Sequence, residues 1–217
     1  MKNKQKIAVI DYGIGNIYSV TKALDKFTSD WVVTEDPSVI ENANAVILPG
    51  VGAFHAGMEG LKKRGLIESI KKFAQSGKPV LGICLGAQIL LSKGYEFGEY
   101  EGLGIIEGSA VPFPKLKEGT KIPHIGWNKI YPQENKSWEN TILDNIKKDE
   151  DMYFVHSFIL EPKNTENIFT LSEYGGHEFA SAIRKDNVYG LQFHPEKSAE
   201  TGLLIIKNFV EMCYNAH

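Results

Sequence analysis

The 217-residue chain has little of what marks a secreted, membrane or nucleic-acid-binding protein. Its two cysteines lie far apart and are too few for a disulfide framework, which favours a reducing compartment. With 24 basic and 27 acidic residues the net charge is −3, so charge gives no general reason to expect nucleic acid or a membrane surface as a partner. Only the short apolar run Ile7–Ile10 follows the basic N-terminus Met1–Lys6, too little for a signal peptide or a transmembrane helix. We therefore expect a cytoplasmic protein.

Internal repeats, low-complexity segments and the residue spacing of a metal site are also missing. A chain of this length can bury a full hydrophobic core. The simplest organisation is one domain that spans residues 1–217 and needs no metal or cofactor.

The first half alternates apolar strand patterns with helical patterns. Strands are predicted at Ile7–Ile10, Trp31–Thr34, Asn44–Leu48 and Val80–Ile83, with a long helical region ending at Ser76. Such alternation predicts an α/β fold with a doubly wound, mainly parallel open sheet and helices on both faces. In sheets of this kind ligands bind beyond the carboxyl ends of the strands.

Short strand-like runs separated by Gly, Asn and Pro dominate the second half, and they predict antiparallel strands that extend the sheet. These runs are Lys121–Asn128, Asp151–His156, Phe169–Ser172, Glu178–Arg184 and Val188–Phe193. The polar stretch from Tyr131 to Glu150 is predicted to be a surface excursion. A last helix from Gly202 to Tyr214 is predicted to bury Cys213 in the core.

Cys84 ends the strand Val80–Ile83 between Gly82 and Gly86, and a helical pattern follows at once. This is the thiol form of a nucleophile elbow, in which a sharp strand-to-helix turn exposes the nucleophile. A helix N-terminus also favours a thiolate. The alternative is a buried structural cysteine, because a free cysteine behaves as a small hydrophobe.

Two glycine turns follow other strands of the first half. The turn after Asp11 contains Gly13 and Gly15, but Tyr18 occupies the place of the third glycine of a dinucleotide motif, which favours a tight loop or contact surface instead. The turn after Leu48 contains Gly50 and Gly52, and its backbone amides are free to point at a ligand. It is either an ordinary turn or an oxyanion-binding segment.

His194 and Glu196 flank a proline at the end of the last predicted strand. Extended backbone before proline projects residues i and i+2 to the same side. The carboxylate could then orient the imidazole, and the imidazole could act as base for the Cys84 thiol. Taken alone, the same pattern also fits an exposed strand end.

Together, the elbow at Cys84 and the His194-Pro-Glu196 sequence resemble the class I (triad) glutamine amidotransferases over essentially the whole chain. Five further blocks are similar to the glutaminase subunits of imidazole glycerol phosphate synthase, a family of histidine biosynthesis. These blocks lie at 11–16, 48–54, 123–128, 153–157 and 190–198.

The resemblance implies that L-glutamine is hydrolysed through a thioester on Cys84, with His194 as general acid and base and Glu196 orienting it. It assigns the oxyanion donors to the backbone at Leu85 and Gly52. The glutamine-holding positions that it implies are Gln88, Glu96, His156 and Ser157.

The resemblance also implies a heterodimer partner, a separate (β/α)-barrel synthase (cyclase) subunit, which receives the ammonia. Positions that match its contacts are Asn16, Trp127, Tyr153 and Lys197. The acceptor remains open at this point, because similar subunits feed ammonia to sugar-modifying amidotransferases of surface-polysaccharide pathways. A cysteine peptidase with the same elbow and a non-enzymatic scaffold are further alternatives, which Gln88 and the intact triad disfavour.

Overall fold

A computed structural model describes residues 6–134 and 136–215, so most of the basic N-terminus lies outside the described residues. Six α-helices form within these ranges, and none of them is long and apolar enough to span a lipid bilayer. The helices are α1 (Ile17–Leu24), α2 (Pro37–Asn42), α3 (Phe54–Lys63), α4 (Ile67–Gln75), α5 (Leu85–Ile89) and α6 (Ala199–Asn215).

Thirteen strands join the described residues into one sheet. They are β1 (Ile7–Ile10), β2 (Trp31–Thr34), β3 (Ala45–Gly50), β4 (Val80–Cys84), β5 (Leu91–Gly94), β6 (Tyr100–Glu101), β7 (Ile106–Pro112), β8 (His124–Pro132), β9 (Glu150–His156), β10 (Phe158–Pro162), β11 (Ile168–Tyr174), β12 (His177–Lys185) and β13 (Val188–Leu191).

Five parallel strands in the order β2-β1-β3-β4-β13 form the centre of the fold. The sheet continues from β13 through β12, β10, β7, β5 and β6, and β11, β8 and β9 branch from β12. Most pairings in this extension are antiparallel. The predicted fold class is confirmed, and the carboxyl ends of β3, β4 and β13 lie side by side.

Two apolar cores cover the two faces of the sheet. Along β1, Ile7 and Val9 belong to one core and Ala8 and Ile10 to the other, because successive strand residues point to opposite faces. Helices α1 and α6 pack on the first face, and α2 to α5 pack on the second. Cys213 lies on α6 in the first core, as the sequence predicted.

Several local predictions were wrong. The helical region before Ser76 is two helices, because Gly65 with φ +67° ends the first one. The helical pattern after Cys84 runs over Gln88–Leu91 in the sequence, but the helix ends at Ile89 and Leu91 begins β5. Strands β5, β6, β7 and β10 were not predicted at all.

The segment from Tyr131 to Glu150 is not a surface excursion. It has no helix or strand between Pro132 and Glu150 in its described part, but it buries Trp138, Ile142 and Leu143 against the first core. The sequence did not predict the burial of these residues, because the segment is mostly polar and their spacing matches neither helical nor strand periodicity.

Candidate active site

A crevice of about 350 Å³ opens at the carboxyl ends of the parallel strands. It brings together residues that are distant in sequence and that the sequence predicted to be catalytic, oxyanion-binding or glutamine-holding, together with one predicted partner contact, Lys197. Those that line it are Gly52, Cys84, Gln88, Glu96, His156, Ser157, His194 and Lys197. The crevice therefore combines a thiol, an imidazole, a carboxylate and a glycine turn.

Cys84 lies on the sharp turn between β4 and α5, with φ 52° and ψ −107°. This conformation is strained for a residue with a side chain, and such strain concentrates at functional sites. Neighbouring glycines make the turn possible: a Cβ on Gly86 would lie 1.8 Å from the Leu48 carbonyl oxygen, and one on Gly82 would lie 2.6 Å from the Gly86 carbonyl oxygen. The elbow is thus packed directly against β3.

His194 connects the thiol to a buried carboxylate. Its Nδ1 lies 2.8 Å from Oε1 of Glu196, and the side chains are 3% and 1% exposed. Burial lowers the pKa of His194, but hydrogen bonds to Cys84 and Glu196 and their negative charges outweigh burial and raise it to about 9. The imidazole is therefore held in the protonated form that stabilises a neighbouring thiolate.

Glu196 has no other partner for its charge among the described residues. Its Oε2 is buried without a hydrogen bond. A buried carboxylate with one satisfied oxygen is costly unless the partner is a cation. This arrangement also favours an imidazolium at His194.

Two backbone segments border the thiol where an oxyanion would form. Leu85 is the first residue of α5, so its amide has no partner within the helix. Gly52 lies in the turn after β3 with φ +108°, and a Cβ there would meet no atom within 4 Å. Gly52 therefore has open space where a side chain would project.

Glu96 and Gln88 lie on the walls of the crevice, where their side chains already make contacts. Oε2 of Glu96 accepts a hydrogen bond of 2.7 Å from the amide of Phe54, the first residue of α3. Nε2 of Gln88 donates to Oε1 of Gln192 at 3.1 Å. These contacts fix both side chains before any ligand arrives.

His156 is satisfied by the protein itself. Nδ1 lies 2.8 Å from the Phe158 carbonyl, which can only accept, so Nδ1 carries the hydrogen and Nε2 accepts from Nδ1 of His124 at 3.1 Å. Burial lowers the pKa of His156 to about 3 and that of His124 to about 4, so both rings are neutral at neutral pH. Both ring nitrogens of His156 are therefore occupied by contacts within the protein. The neighbouring residue, Ser157, also lines the crevice.

Residues matched to a partner surface lie around the same end of the sheet. Trp127 on β8 is 54% exposed and packs edge-to-face on Tyr153 of β9, with the ring centroids 5.8 Å apart. The amide of His194 donates to the Tyr153 carbonyl, which places the pair beside the triad. Lys197 is exposed at the crevice, and α1, which begins after Asn16, packs against the 3₁₀ turn Pro195–Lys197.

Sequence reasoning missed two groups that contact the thiol. Nε2 of Gln192 lies 3.8 Å from Sγ of Cys84, and the Val155 carbonyl lies 3.7 Å from the same sulfur. Gln192 could have been found, because it precedes His194 by two residues on a strand end and shares its side. The carbonyl of Val155 leaves no trace in the sequence.

Comparison with known proteins agrees with this geometry. The family model described as glutamine amidotransferase class-I matches residues 8–213. A curated relative, imidazole glycerol phosphate synthase subunit HisH 1 of Legionella pneumophila (strain Lens), is 46% identical over 95% of this chain and 99% of its own length. The HisH subunit of Caldanaerobacter subterraneus subsp. tengcongensis is 47% identical over 95% of this chain and 98% of its own length.

Solved structures support the fold alone, since they are distant in sequence. PurLQS from Thermotoga maritima superposes with a TM-score of 0.69 at 22% identity, covering 96% of this chain and 98% of that one. A glutamine amidotransferase from Thermotoga maritima superposes with a TM-score of 0.60 at 17% identity, covering 96% and 82%. The chain belongs to the class I glutamine amidotransferases and, among them, to the HisH subunits of imidazole glycerol phosphate synthase.

Proposed function

We propose that this chain, as a single glutamine amidotransferase domain, is the glutaminase subunit of an imidazole glycerol phosphate synthase. The observation that carries the proposal is the strained elbow of Cys84 beside the buried His194–Glu196 pair, in a chain 46% identical to a curated HisH subunit over nearly its full length. The reaction is hydrolysis of L-glutamine to glutamate and ammonia. Both cysteines are free, which fits a reducing compartment, the cytoplasm.

Covalent catalysis divides the hydrolysis into two steps. In the first, the Cys84 thiolate attacks the side-chain amide carbon of glutamine and a tetrahedral oxyanion forms. The His194 imidazolium gives its proton to the leaving nitrogen, and ammonia departs from a thioester. In the second, neutral His194 takes a proton from water as the water attacks the thioester, and glutamate leaves Cys84 as a free carboxylate.

Backbone donors stabilise both tetrahedral intermediates. The amide of Leu85 and the turn at Gly52 are the two donors, and loss of one such donor typically costs about 100-fold or more in rate. Glu196 keeps the His194 imidazole in the orientation that reaches both sulfur and leaving group.

Substrate binding follows from the charges of the crevice walls. Glu96 supplies a carboxylate for the α-ammonium group of glutamine, since one of its oxygens is fixed by the Phe54 amide. Gln88 and Ser157 offer polar contacts. Both ring nitrogens of His156 are already hydrogen-bonded within the protein. His156 therefore binds glutamine through the backbone at 156–157 and not through its ring.

The ammonia must leave without reaching bulk water, where it would be protonated. We propose that a synthase (cyclase) barrel subunit covers the mouth of the crevice and takes the ammonia to form imidazole glycerol phosphate and an aminoimidazole carboxamide ribotide. Asn16, Trp127, Tyr153 and Lys197 are the contact candidates. Trp127 is the best anchor because exposed tryptophan is over-represented among interface hot spots.

The deciding experiment measures glutamate release from glutamine by this chain, alone and with an imidazole glycerol phosphate synthase barrel subunit plus its nucleotide substrate. We expect low activity alone and strong stimulation in the complex. Cys84→Ala should abolish glutamine-dependent synthesis and leave synthesis from ammonium salt intact. Glutaminase activity that ignores the barrel subunit would move the chain to another acceptor, such as a sugar-modifying amidotransferase.

A further inference from the structure

Tyr12 carries a buried hydroxyl that no described residue satisfies. The side chain is 1% exposed, and its OH has no hydrogen-bond partner within residues 6–134 and 136–215. Burial raises the pKa of this phenol, and the negative charge of Cys84 raises it further, so the hydroxyl is protonated and within electrostatic reach of the nucleophile. Buried polar groups are nearly always paired, and an exception at an active site calls for a functional explanation.

The hydroxyl lies against Gly50, on the side of Gly50 that also faces Leu85 and Gly86. A Cβ built on Gly50 would lie 2.2 Å from the Tyr12 oxygen, 2.9 Å from Cβ of Leu85 and 3.1 Å from the Gly86 amide nitrogen. Gly50 is also the residue that pairs with Cys84 in the sheet. The Tyr12 hydroxyl therefore contacts the Gly50–Gly52 turn at its first residue, next to the elbow.

The backbone of Tyr12 is anchored firmly. Its carbonyl accepts a hydrogen bond of 3.2 Å from Arg64, and a Cβ on Gly60 would lie only 2.1 Å from that carbonyl oxygen. Three residues later, a Cβ on Gly15 would lie 3.1 Å from the Pro49 carbonyl oxygen. The loop from Asp11 to Asn16 thus contacts the end of β3 at both Pro49 and Gly50.

The Gly50–Gly52 turn is packed against Tyr12 at Gly50 and is open at Gly52, which lines the crevice. Gly52 has no atom within 4 Å of a Cβ position, and Gly50 has no space for one. In a peptide unit the N–H and C=O point in opposite directions. A peptide of this turn that directs its N–H toward an oxyanion in the crevice therefore directs its carbonyl toward the buried side, where the Tyr12 hydroxyl lies without an acceptor.

We propose that Tyr12 is a positioning residue, whose hydroxyl donates to a backbone carbonyl of the Gly50–Gly52 turn when that turn presents its N–H to the oxyanion. The inference rests on the proposed glutaminase activity and deepens it. Tyr12 and Asn16 belong to one anchored loop. A partner that binds this loop would therefore also influence the conformation of the Gly50–Gly52 turn. The hydroxyl has no acceptor among the described residues, so we assign its hydrogen bond to the arrangement in which the turn presents its N–H.

The test removes the hydroxyl alone, with Tyr12→Phe. Tyr189→Phe is the matched control, because Tyr189 is also fully buried with an unpartnered hydroxyl but lies near the start of β13, away from the crevice. Each variant is assayed in complex with the barrel subunit, with the nucleotide substrate of that subunit present. We expect Tyr12→Phe to lower kcat for glutamate release about 3- to 10-fold, the value of one hydrogen bond, with little change in KM.

Two further readouts separate this role from a structural one. The melting temperature of both variants should equal or exceed that of the wild type, because neither hydroxyl is bonded in the resting state. Alkylation of Cys84 by a glutamine-like chloroketone should proceed at the wild-type rate in both variants, since Tyr12 acts on the turn and not on the thiol.

Several results would overturn the inference. They are a kcat for Tyr12→Phe equal to that of Tyr189→Phe, a lowered melting temperature, or a slower alkylation that accounts for the loss in kcat. If the wild-type complex itself releases no glutamate, the proposed function fails, and the inference fails with it. Stimulated wild-type activity together with an unimpaired Tyr12→Phe would leave the proposed function standing and remove only the role of Tyr12.

Discussion

At the scale of single residues, the site is organised around one buried charge. Glu196 is almost inaccessible and its only hydrogen bond among the described residues is to His194. The same contact helps to raise the pKa of His194 to about 9, against the effect of burial. In the proposed mechanism Glu196 therefore acts through the imidazole and not on the substrate.

Replacing Glu196 by Gln should keep the shape and remove the charge. The pKa of His194 would fall because the opposing effect of burial remains, so the imidazolium would be lost at lower pH. We expect kcat/KM for glutamine to drop by about 10²- to 10⁴-fold, the usual range for impaired general acid–base catalysis, and the alkaline limb of its pH profile to move to lower pH. Glu200→Gln, at an exposed position of α6, is the charge-matched control. An alkaline limb that stays in place would exclude the assigned role of Glu196.

At the scale of elements, the site depends on how closely α5 approaches β3. The helix begins directly at the strained Cys84, and Gly86 rests on the carbonyl of Leu48. A side chain at 86 would push the elbow away from the sheet and displace the thiol from His194. Glycine at this position is thus required by backbone contact rather than by a turn conformation.

Gly86→Ala should therefore harm both stability and activity. The added Cβ meets backbone at 1.8 Å, so we expect a loss of about 1–3 kcal/mol in the free energy of unfolding, as for other overpacked interiors. Gly57→Ala in α3 is the control, because its Cβ would meet only side-chain atoms, the nearest at 3.3 Å, and alanine favours a helix. Denaturant unfolding and glutamate release measure the two effects. Equal stability of the two variants would contradict the close approach of α5 to β3.

Much of this arrangement follows from sequence pattern. Apolar runs between polar or glycine-containing turns located β1 to β4 and the elbow. His194 and Glu196 are in contact as predicted, but Glu196 lies in the 3₁₀ turn Pro195–Lys197 and not in the extended segment from which the contact was expected. Strands β5, β7 and β10 were not predicted because they carry Ser, Gly or Pro, and because β7 and β10 pair with each other across a long stretch of chain. The burial of Trp138 and Ile142 was not predicted, because they lie in an irregular segment where apolar residues follow no regular spacing. These elements are fixed by contacts between distant parts of the chain, which local sequence patterns do not reveal.

At the scale of the whole molecule, the crevice and an exposed apolar ribbon share one end of the sheet. Ile125 and Trp127 are 60% and 54% exposed and, as residues i and i+2 of β8, lie on the same side of the strand. The β8–β9 ribbon reaches the crevice through His156. Exposed apolar residues grouped beside a functional crevice are characteristic of an interaction surface. A partner seated here would cover the crevice mouth and keep ammonia from water.

Trp127→Ala should therefore weaken the complex with the barrel subunit without damaging the active site. Loss of a hot-spot tryptophan costs at least about 2 kcal/mol of binding free energy, which corresponds to a Kd raised about 30-fold. Tyr214→Ala is the control, because Tyr214 is an aromatic residue 37% exposed on the last turns of α6. Calorimetric titration gives the Kd, and chloroketone alkylation of Cys84 in the free chain checks the site. Stimulated glutamate release should return to the wild-type level at saturating barrel subunit, since the defect lies in association alone. An unchanged Kd would place the partner on another face, and the crevice would then need a different cover to retain its ammonia.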